Sequence, residues 1–232
     1  CDENQFELMR IVAPDFKEHN HEIVERYTRL GVRPTQSCTP YEWEGVTCEG
    51  TAAWAESNAI AFGNSYCGLY TNRESGLSAL ASALTGYTPR YGLLDEDARR
   101  PNLLVTVTAV LSDPTDFSIL GDWIGKQRQP GWKLPFGPIP LIKGLPDELT
   151  HEQKKALTAA AANYGCPLLY IEGLGSDPVA ALFAEELGAL VQVQNADMPG
   201  FSRQQQARLA ALVRNHRRKL SMGVIKDLPR QM

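Results

Sequence analysis

Two cysteines, ten residues apart, are the first side chains along this sequence whose chemistry could form a ligand site. Cys38 lies in the stretch SCTPY, and Cys48 follows in VTCEG. Thiolates bind zinc and iron–sulfur clusters, but a self-contained zinc knuckle needs closely spaced cysteine pairs. The five cysteines are odd in number, scattered and without a Cys-x-x-Cys pair. This usage argues against a zinc knuckle and a disulfide framework, and indicates a reducing, cytoplasmic setting.

A second group of reactive side chains stands at residues 71–74, where TNRE places an amide, a guanidinium and a carboxylate side by side. The guanidinium of an arginine can grip a carboxylate or a phosphate with two parallel hydrogen bonds. Arg73 could therefore clamp an anion, or it could form a surface ion pair with Glu74. The residues alone leave both interpretations open.

Common catalytic motifs are missing from the sequence. It contains no GxxxxGK[ST], HExxH or GxSxG pattern. The stretch GLGSDP at 173–178 lacks the third glycine of a dinucleotide-binding fingerprint and reads as a plain strand–helix turn. A thiol enzyme that uses Cys1 or Cys67 would need a histidine partner, and no histidine presents itself convincingly.

Composition and charge exclude several classes of partner. The chain of 232 residues has 43% apolar and 22% charged residues, as ordinary soluble globular proteins do. A formal net charge of −4 and a pI of about 5.6 favour neither nucleic acid nor an anionic membrane. No apolar run approaches the length of a transmembrane helix, and the first ten residues do not resemble a secretory signal.

The elements that must position these residues can be read from hydrophobic spacing. An amphipathic helix is predicted over 17–31, and a second helix over 75–86 that ends at Gly86. The alanines between 52 and 61 favour helix, which residues 63–65 are expected to interrupt, and this polar stretch looks like poor core material. The alternation in 102–111 predicts a strand.

The second half of the chain predicts alternating helices and strands. Proline and glycine crowd the stretch 126–146, which is therefore expected to hold no regular element. A helix capped by Thr150 and a buried strand at 166–174 follow, and then a helix, a strand and a closing helix after residue 176. This alternation favours layered α/β architecture. We divide the chain into a helix-rich active-site segment (1–125), a connection (126–149) and an α/β segment (150–232).

Several uncommon stretches occur in an order that resembles the large subunit of the aconitase X family. They are GVRPTQSCTPY, AWAESNAIAFGNS, YTNRESGLSALASALTGYTPRYGLL and RRPNLLVTV. The resemblance covers about residues 20–175. It implies a layered aconitase-like α/β/α domain, which could be part of an incomplete multi-domain chain. It also implies an iron–sulfur hydro-lyase that removes water from a small hydroxy acid, hydroxyproline-like or phosphomevalonate-like.

The resemblance also assigns roles to residues. It implies that Cys38 is a ligand of a 2Fe-2S or 4Fe-4S cluster whose iron acts as Lewis acid, and that Arg73 clamps the acid group of the substrate. It implies catalytic positions at Ser57, Asn64, Ser65 and Glu74, and substrate contacts from Glu56, Thr71, Asn72 and Arg73. A small swivelling subunit or domain is expected to carry the proton-handling serine.

Departures from the family pattern leave alternatives open. The family usually has Gly-Ala-Arg before TNRE, where this chain has Gly68, Leu69 and Tyr70. Cys48 and Cys166 do not match ligand positions, so one cluster ligand is assigned. A fragment, a split subunit and a degenerate paralogue would each explain this. The competing function is a cluster-less scaffold or anion-binding subunit with the same fold and no catalysis.

Overall fold

The computed structural model describes residues 15–46, 49–127 and 137–174, all within the first of two compact units, Cys1–Val193. The helices of these ranges, apart from short 3₁₀ turns, are α1 (Phe16–Arg29), α2 (Ser57–Tyr66), α3 (Gly76–Thr85), α4 (Pro114–Lys126) and α5 (His151–Ala162). The strands are β1 (Gly50–Trp54), β2 (Leu69–Arg73), β3 (Leu103–Thr106), β4 (Pro140–Lys143) and β5 (Tyr170–Ile171). None of the described helices is long and apolar enough to cross a membrane.

A β–α–β unit carries the first sheet. Strands β1 and β2 pair in parallel, with Gly50 opposite Leu69 and Trp54 opposite Arg73, and α2 connects them. Two predictions are wrong here, because the alanines at 52 and 53 lie on a strand, and residues 63–65 continue the helix. A Cβ on Gly63 would lie 2.9 Å from Leu69 Cδ2 and 3.0 Å from the ring of Trp54, so this glycine lets the helix pack closely on both strands.

Helix α2 is also buried, contrary to the expectation that its sequence is poor core material. Ala59, Ile60, Ala61 and Phe62 are all core residues. The polar residues Asn64 and Ser65 of this helix are tolerated because their side chains have hydrogen-bond partners inside the protein. The core of the unit therefore includes the segment that was expected to be poor core material.

The second sheet is parallel with the strand order β3–β4–β5. Its central strand β4 lies in the proline-rich stretch 126–146, so the expectation that this stretch holds no regular element is wrong. Pro140 is the first residue of the strand, a position where proline is tolerated despite its missing N–H group. A cluster of buried side chains packs against this sheet: Leu93, Leu104, Ile139, Leu141, Leu168 and Tyr170.

Helices α4 and α5 are packed closely and begin at capping boxes formed by Asp113 and Thr150. A Cβ on Gly121 would overlap the carbonyl oxygen of Leu157, so the close approach of the two helices requires glycine. Each helix connects two neighbouring parallel strands of the second sheet. The predicted α/β layering is thus confirmed for the described residues, and the structure adds that the strands are parallel.

The remaining element predictions have mixed outcomes. Helix α1 forms as predicted, but none of its residues is buried. Helix α3 ends at Gly86 as predicted, with a left-handed φ of 74° that suits glycine. The strand predicted over 102–111 is shorter, since β3 ends at Thr106 and Val110 is exposed. The elements predicted after residue 176 lie outside the described residues, and the three-segment division stays a prediction.

Candidate active site

An open cavity of about 240 Å³ lies where β2 ends and α2 begins. Arg73 is the last residue of β2 and Ser57 the first residue of α2, and both line the cavity with Asn72 and Tyr91. The segment after α5 supplies the remaining wall through Ala162, Gly165, Cys166 and Pro167, and Ile60 completes the lining. The carboxyl ends of parallel strands are common ligand sites, since helix N-termini and loop side chains converge there.

Arg73 is exposed, and its side chain makes no hydrogen bond or ion pair with any described residue. Glu74 does not pair with it, because the Glu74 carboxylate accepts hydrogen bonds from Ser78 Oγ at 2.7 Å and from the Tyr91 hydroxyl at 3.1 Å. Of the two interpretations that the sequence left open, the surface Arg73–Glu74 ion pair is not formed. The guanidinium is left available to an anion in the cavity.

The first turn of α2 adds a second positive element to the cavity. Its N-cap residue Glu56 is exposed and makes no side-chain capping bond to the helix. The Ser57 hydroxyl lies 3.5 Å from a Glu56 carboxylate oxygen, and Ser57 itself lines the cavity while Glu56 does not. The unpaired N–H groups of a helix N-terminus carry partial positive charge, so this end of the cavity favours an anionic group.

Asn64 has all its side-chain hydrogen-bonding groups occupied, and it is 3% exposed. Its amide nitrogen donates to the carbonyl oxygens of Thr71 (2.9 Å) and Pro167 (3.0 Å). Its amide oxygen accepts from Thr71 N (3.0 Å) and from Arg99 (3.2 Å). The predicted catalytic role of Asn64 stays a prediction, and these four bonds show how the residue ties α2 to β2 and to the segment before β5.

Arg99 is a fully buried residue that sequence reasoning missed. Its guanidinium donates to Asn64 Oδ1 and to the carbonyl oxygens of Asn64 and Leu93, at 3.2–3.3 Å. It also lies 4.1 Å from the ring centre of Tyr70. Arg99 thus holds Asn64 of α2 in position through hydrogen bonds. It also makes a cation–π contact with the ring of Tyr70.

Three more of the predicted site residues are held by the fold. Asn72 is buried; its amide nitrogen donates to Tyr91 O (2.9 Å) and its amide oxygen accepts from Leu93 N (2.8 Å). Thr71 Oγ1 donates to the Asn72 carbonyl, and Ser65 Oγ accepts from Leu169 N. Asn72 reaches the cavity, whereas Thr71 and Ser65 do not line it. Their predicted catalytic and binding roles are untested.

Tyr91 is the second residue of the site that sequence reasoning missed. It lines the cavity beside Arg73 and donates its hydroxyl hydrogen to Glu74. Burial and the neighbouring Glu74 carboxylate raise the pKa of the Tyr91 phenol above its ordinary value. The phenol therefore stays protonated at neutral pH. Tyr91 lies in TPRYGLL, which is part of a stretch that carries the family resemblance. The residues next to it in sequence do not indicate that it lines a cavity.

The loop that carries Cys38 is docked on two helices. The Tyr41 ring stacks on Phe62 of α2, with 4.0 Å between ring centres and 9° between planes. Glu42 lies 2.8 Å from both Lys155 and His151 of α5. Hydrogen bonding from Lys155 first, and then from neighbours that include His151, lowers the pKa of Glu42 to about 2. The loop is therefore fixed to the fold although Cys38 itself is exposed.

The described residues do not form a complete cluster site. Cys38 is a free, exposed thiol, and no group of three or more His, Cys, Asp or Glu side chains within the described ranges could hold a metal ion. Cys166 is buried, donates to the Leu168 carbonyl, and has a pKa that burial raises to about 12, which disfavours the thiolate. An iron–sulfur cluster needs three or four converging thiolates, and among the described cysteines Cys38 is the exposed one.

Residues 1–97 match the family model described as aconitase X first domain. The chain is also 36% identical over 160 residues to the phosphomevalonate dehydratase large subunit of Thermococcus kodakarensis, over 68% of this chain and 40% of that protein. The resemblance to the aconitase X family is confirmed. The cis-3-hydroxy-L-proline dehydratase of Hypocrea jecorina is 30% identical over 180 residues, over 75% of this chain and 28% of that enzyme.

The fold agrees with that of an aconitase X of known structure. The crystal structure of Thermococcus kodakaraensis aconitase X in its holo-form matches with a TM-score of 0.69 and 32% identity, over 84% of this chain and 48% of that chain. This aconitase X-like chain therefore spans less than half the length of the relatives it matches. Residues 189–231 match a different family model, Ppx/GppA phosphatase, domain III, which the sequence reading did not anticipate.

Proposed function

We propose that the chain is a component of an aconitase X-like hydro-lyase that dehydrates a small hydroxy acid. The observation that carries this proposal is the guanidinium of Arg73, which lines a cavity of suitable size without a partner among the described residues. The named relatives, which are dehydratases of phosphomevalonate and of cis-3-hydroxy-L-proline, support it. Both of those names imply a substrate that presents an anion.

The residues of the cavity have complementary tasks in such a reaction. Arg73 binds the acid group of the substrate, and the N-terminal turn of α2 at Ser57 adds its positive dipole end. When a proton leaves the carbon next to a carboxylate, negative charge moves onto the carboxylate oxygens. A guanidinium already in place stabilises that charge in the transition state, so Arg73 would lower the barrier as well as bind.

The cofactor and partner are further parts of the proposal. The family resemblance favours an iron–sulfur cluster with Cys38 as one ligand, and such a cluster supplies a Lewis-acidic iron for the departing hydroxyl. Because the described residues offer one suitable thiolate, further ligands would have to come from outside the described ranges or from another chain. The relative's name, large subunit, supports a small subunit as partner, and a cytoplasmic location suits the free thiols.

Binding measurements on an arginine variant test the proposal. Arg73→Ala should weaken the binding of cis-3-hydroxy-L-proline or phosphomevalonate, whichever the wild type binds, by about tenfold or more, since hydrogen bonds to charged groups contribute about 1.5–3 kcal/mol. Arg90→Ala is the matched control, because Arg90 is exposed, carries the same charge and does not line the cavity. Unchanged affinity in Arg73→Ala, measured by calorimetry, would overturn the proposal.

A second candidate function is an anion-binding subunit of the same fold without a cluster. It is favoured by the lack of a metal-binding group among the described side chains, next to a cavity that keeps its arginine. This candidate makes the same prediction for Arg73→Ala. It differs in predicting that the protein binds no iron, whatever partner is present.

A further inference from the structure

The hydroxyl group of Tyr91 has its only hydrogen committed inside the protein. It donates this hydrogen to Glu74 Oε1 at 3.1 Å, while Ser78 Oγ donates to the other carboxylate oxygen at 2.7 Å. A phenol has one hydrogen to give and two lone pairs to accept with. Because this hydrogen is donated to Glu74, the Tyr91 oxygen is left as an acceptor toward the cavity ligand.

The position of Tyr91 is fixed although half of the residue, 50%, is exposed. Its carbonyl oxygen accepts from the buried Asn72 amide at 2.9 Å and from Leu94 N at 3.2 Å. Asn72 in turn accepts from Leu93 N at 2.8 Å, so β2 is joined to this segment at Tyr91 and again two residues later. An anchored backbone and a tethered hydroxyl hold the ring at the cavity wall before any ligand arrives.

The lining of the cavity thus includes two residues of unlike chemistry. Arg73 is a donor with a positive charge, and Tyr91 is a neutral acceptor. A ligand that carries only an anionic group can satisfy Arg73 and leaves the Tyr91 oxygen without a partner. A ligand that carries an anion and a hydroxyl group can satisfy both, because its hydroxyl hydrogen can be donated to Tyr91.

We propose that Tyr91 is a specificity-determining residue, which selects hydroxy acids over the corresponding acids without the hydroxyl by accepting a hydrogen bond from the substrate hydroxyl group. This inference rests on the proposed function, since it assumes that the acid group binds at Arg73. It adds that the Tyr91 oxygen is the group that recognises the substrate hydroxyl. Glu74 is a positioning residue in this arrangement, because it acts through the phenol.

The test compares two matched ligand pairs on the full chain. One pair is cis-3-hydroxy-L-proline and L-proline, and the other is phosphomevalonate and its 3-deoxy analogue. Tyr91→Phe keeps the ring and removes the oxygen. In the pair that the wild type binds, this variant should lower the preference for the hydroxylated ligand by about 3–10-fold, the range expected for one neutral hydrogen bond. The affinity for the deoxy ligand should stay the same.

Tyr87→Phe is the matched control, because Tyr87 is 83% exposed and does not line the cavity. It should leave both affinities as they are. An equal loss of affinity for both members of a pair in Tyr91→Phe would indicate a general structural role and overturn the inference. So would a wild type that binds both members equally well.

The failure of this inference can be told apart from failure of the proposed function. If Arg73→Ala weakens binding and Tyr91→Phe leaves the hydroxyl preference unchanged, only the inference on Tyr91 is overturned. If the wild type binds none of the four ligands, or if Arg73→Ala binds them as the wild type does, the proposed function falls and the inference falls with it.

Discussion

At the scale of single residues, the site depends on the two almost completely buried side-chain amides of Asn64 and Asn72. Asn64 and Asn72 hold β2 to α2 and to the segment around Tyr91 through short hydrogen bonds. A buried polar group lowers the stability of the folded state little when all its hydrogen bonds are made, and much more when a partner is removed. These asparagines therefore set the position of Arg73 without needing to touch a substrate.

Truncation of Asn64 should destabilise the protein strongly. Asn64→Ala leaves Thr71 N, two carbonyl oxygens and one Arg99 donor without their partner, so we expect the free energy of unfolding to fall by about 2–4 kcal/mol. Chemical denaturation monitored by circular dichroism measures this. Asn163→Ala is the control, because Asn163 is exposed and should change the value by less than about 0.5 kcal/mol. A similarly small loss in Asn64→Ala would contradict the network described here.

Arg73 and Tyr91 differ from these residues because function, rather than stability, is expected to depend on them. Both are substantially exposed, and neither side chain supports the core. Their variants should therefore remain folded, which lets binding be measured without a loss of structure. A loss of binding in these variants can therefore be attributed to the substituted side chain and not to unfolding.

At the scale of elements, the loop before β1 is attached to the fold by stacking and by charge. Tyr41 stacks on α2, and Glu42 contacts Lys155 and His151 on α5. Tyr41 and Glu42 are close to Cys38 in sequence, and their contacts form one cluster, because the His151 ring lies 5.3 Å from the Phe62 ring and 6.3 Å from the Tyr41 ring. A ligand cysteine needs such fixation, since its sulfur must keep a defined position.

The charged attachment should make part of the stability depend on pH. The pKa of Glu42 is lowered from 4.5 to about 2, so its contribution is present above about pH 5 and is lost as the pH falls through 4.5 towards 2. Glu42→Gln should reduce the free energy of unfolding at pH 7 by less than about 1 kcal/mol, because the groups are partly solvated. The difference from the wild type should vanish near pH 2.

Urea unfolding of both proteins from pH 2 to pH 7 measures this pH dependence. Glu44→Gln is the matched control, since it removes a carboxylate that lies in the same loop, and that side chain has no contact to α5. A difference between wild type and Glu42→Gln that stays constant across this range would show that the ion pairs do not stabilise the folded state.

At the scale of the whole molecule, the described residues form the cavity, but they do not supply all the ligands that the proposed cluster needs. The cavity is formed entirely by described residues of this chain. The cluster of the proposed hydro-lyase needs more thiolates than the described ranges supply, and the chain spans less than half of its relatives. Anion binding can therefore be tested on this chain, whereas dehydration requires the further ligands and the partner of the proposal.

Iron analysis distinguishes the two candidate functions. After anaerobic reconstitution with iron and sulfide, in the presence of any partner subunit, the hydro-lyase candidate predicts visible cluster absorbance that Cys38→Ser abolishes. Cys67→Ser is the control and should retain the cluster, because Cys67 is half-buried and matches no ligand position. Equal iron content in wild type and Cys38→Ser would exclude Cys38 as a ligand, and no iron in either protein would support the cluster-less candidate.

The sequence by itself determined the features that depend on neighbouring residues. The caps at Thr150 and Gly86 fixed one end each of α5 and α3, because capping and left-handed φ are local properties. The motifs around Cys38 and Arg73 carried the family resemblance for the same reason, since they are short and continuous. The residue type of Arg73 and its neighbours left an anion clamp and a surface ion pair with Glu74 open, and only the structure shows that the ion pair is not formed.

Only the tertiary structure decided which polar residues support the fold and which face the cavity. The family resemblance implies a catalytic role for Asn64, and the structure adds that its side chain also contacts Pro167, over a hundred positions away. The residues next to Arg99 and Tyr91 in sequence do not indicate the contacts that these two side chains make. Pro140 argued against a strand at the position where the central strand β4 begins. The physical reason is shared by all four. Hydrogen bonds, burial and strand pairing between distant segments determine these roles, and no short stretch of sequence contains both partners.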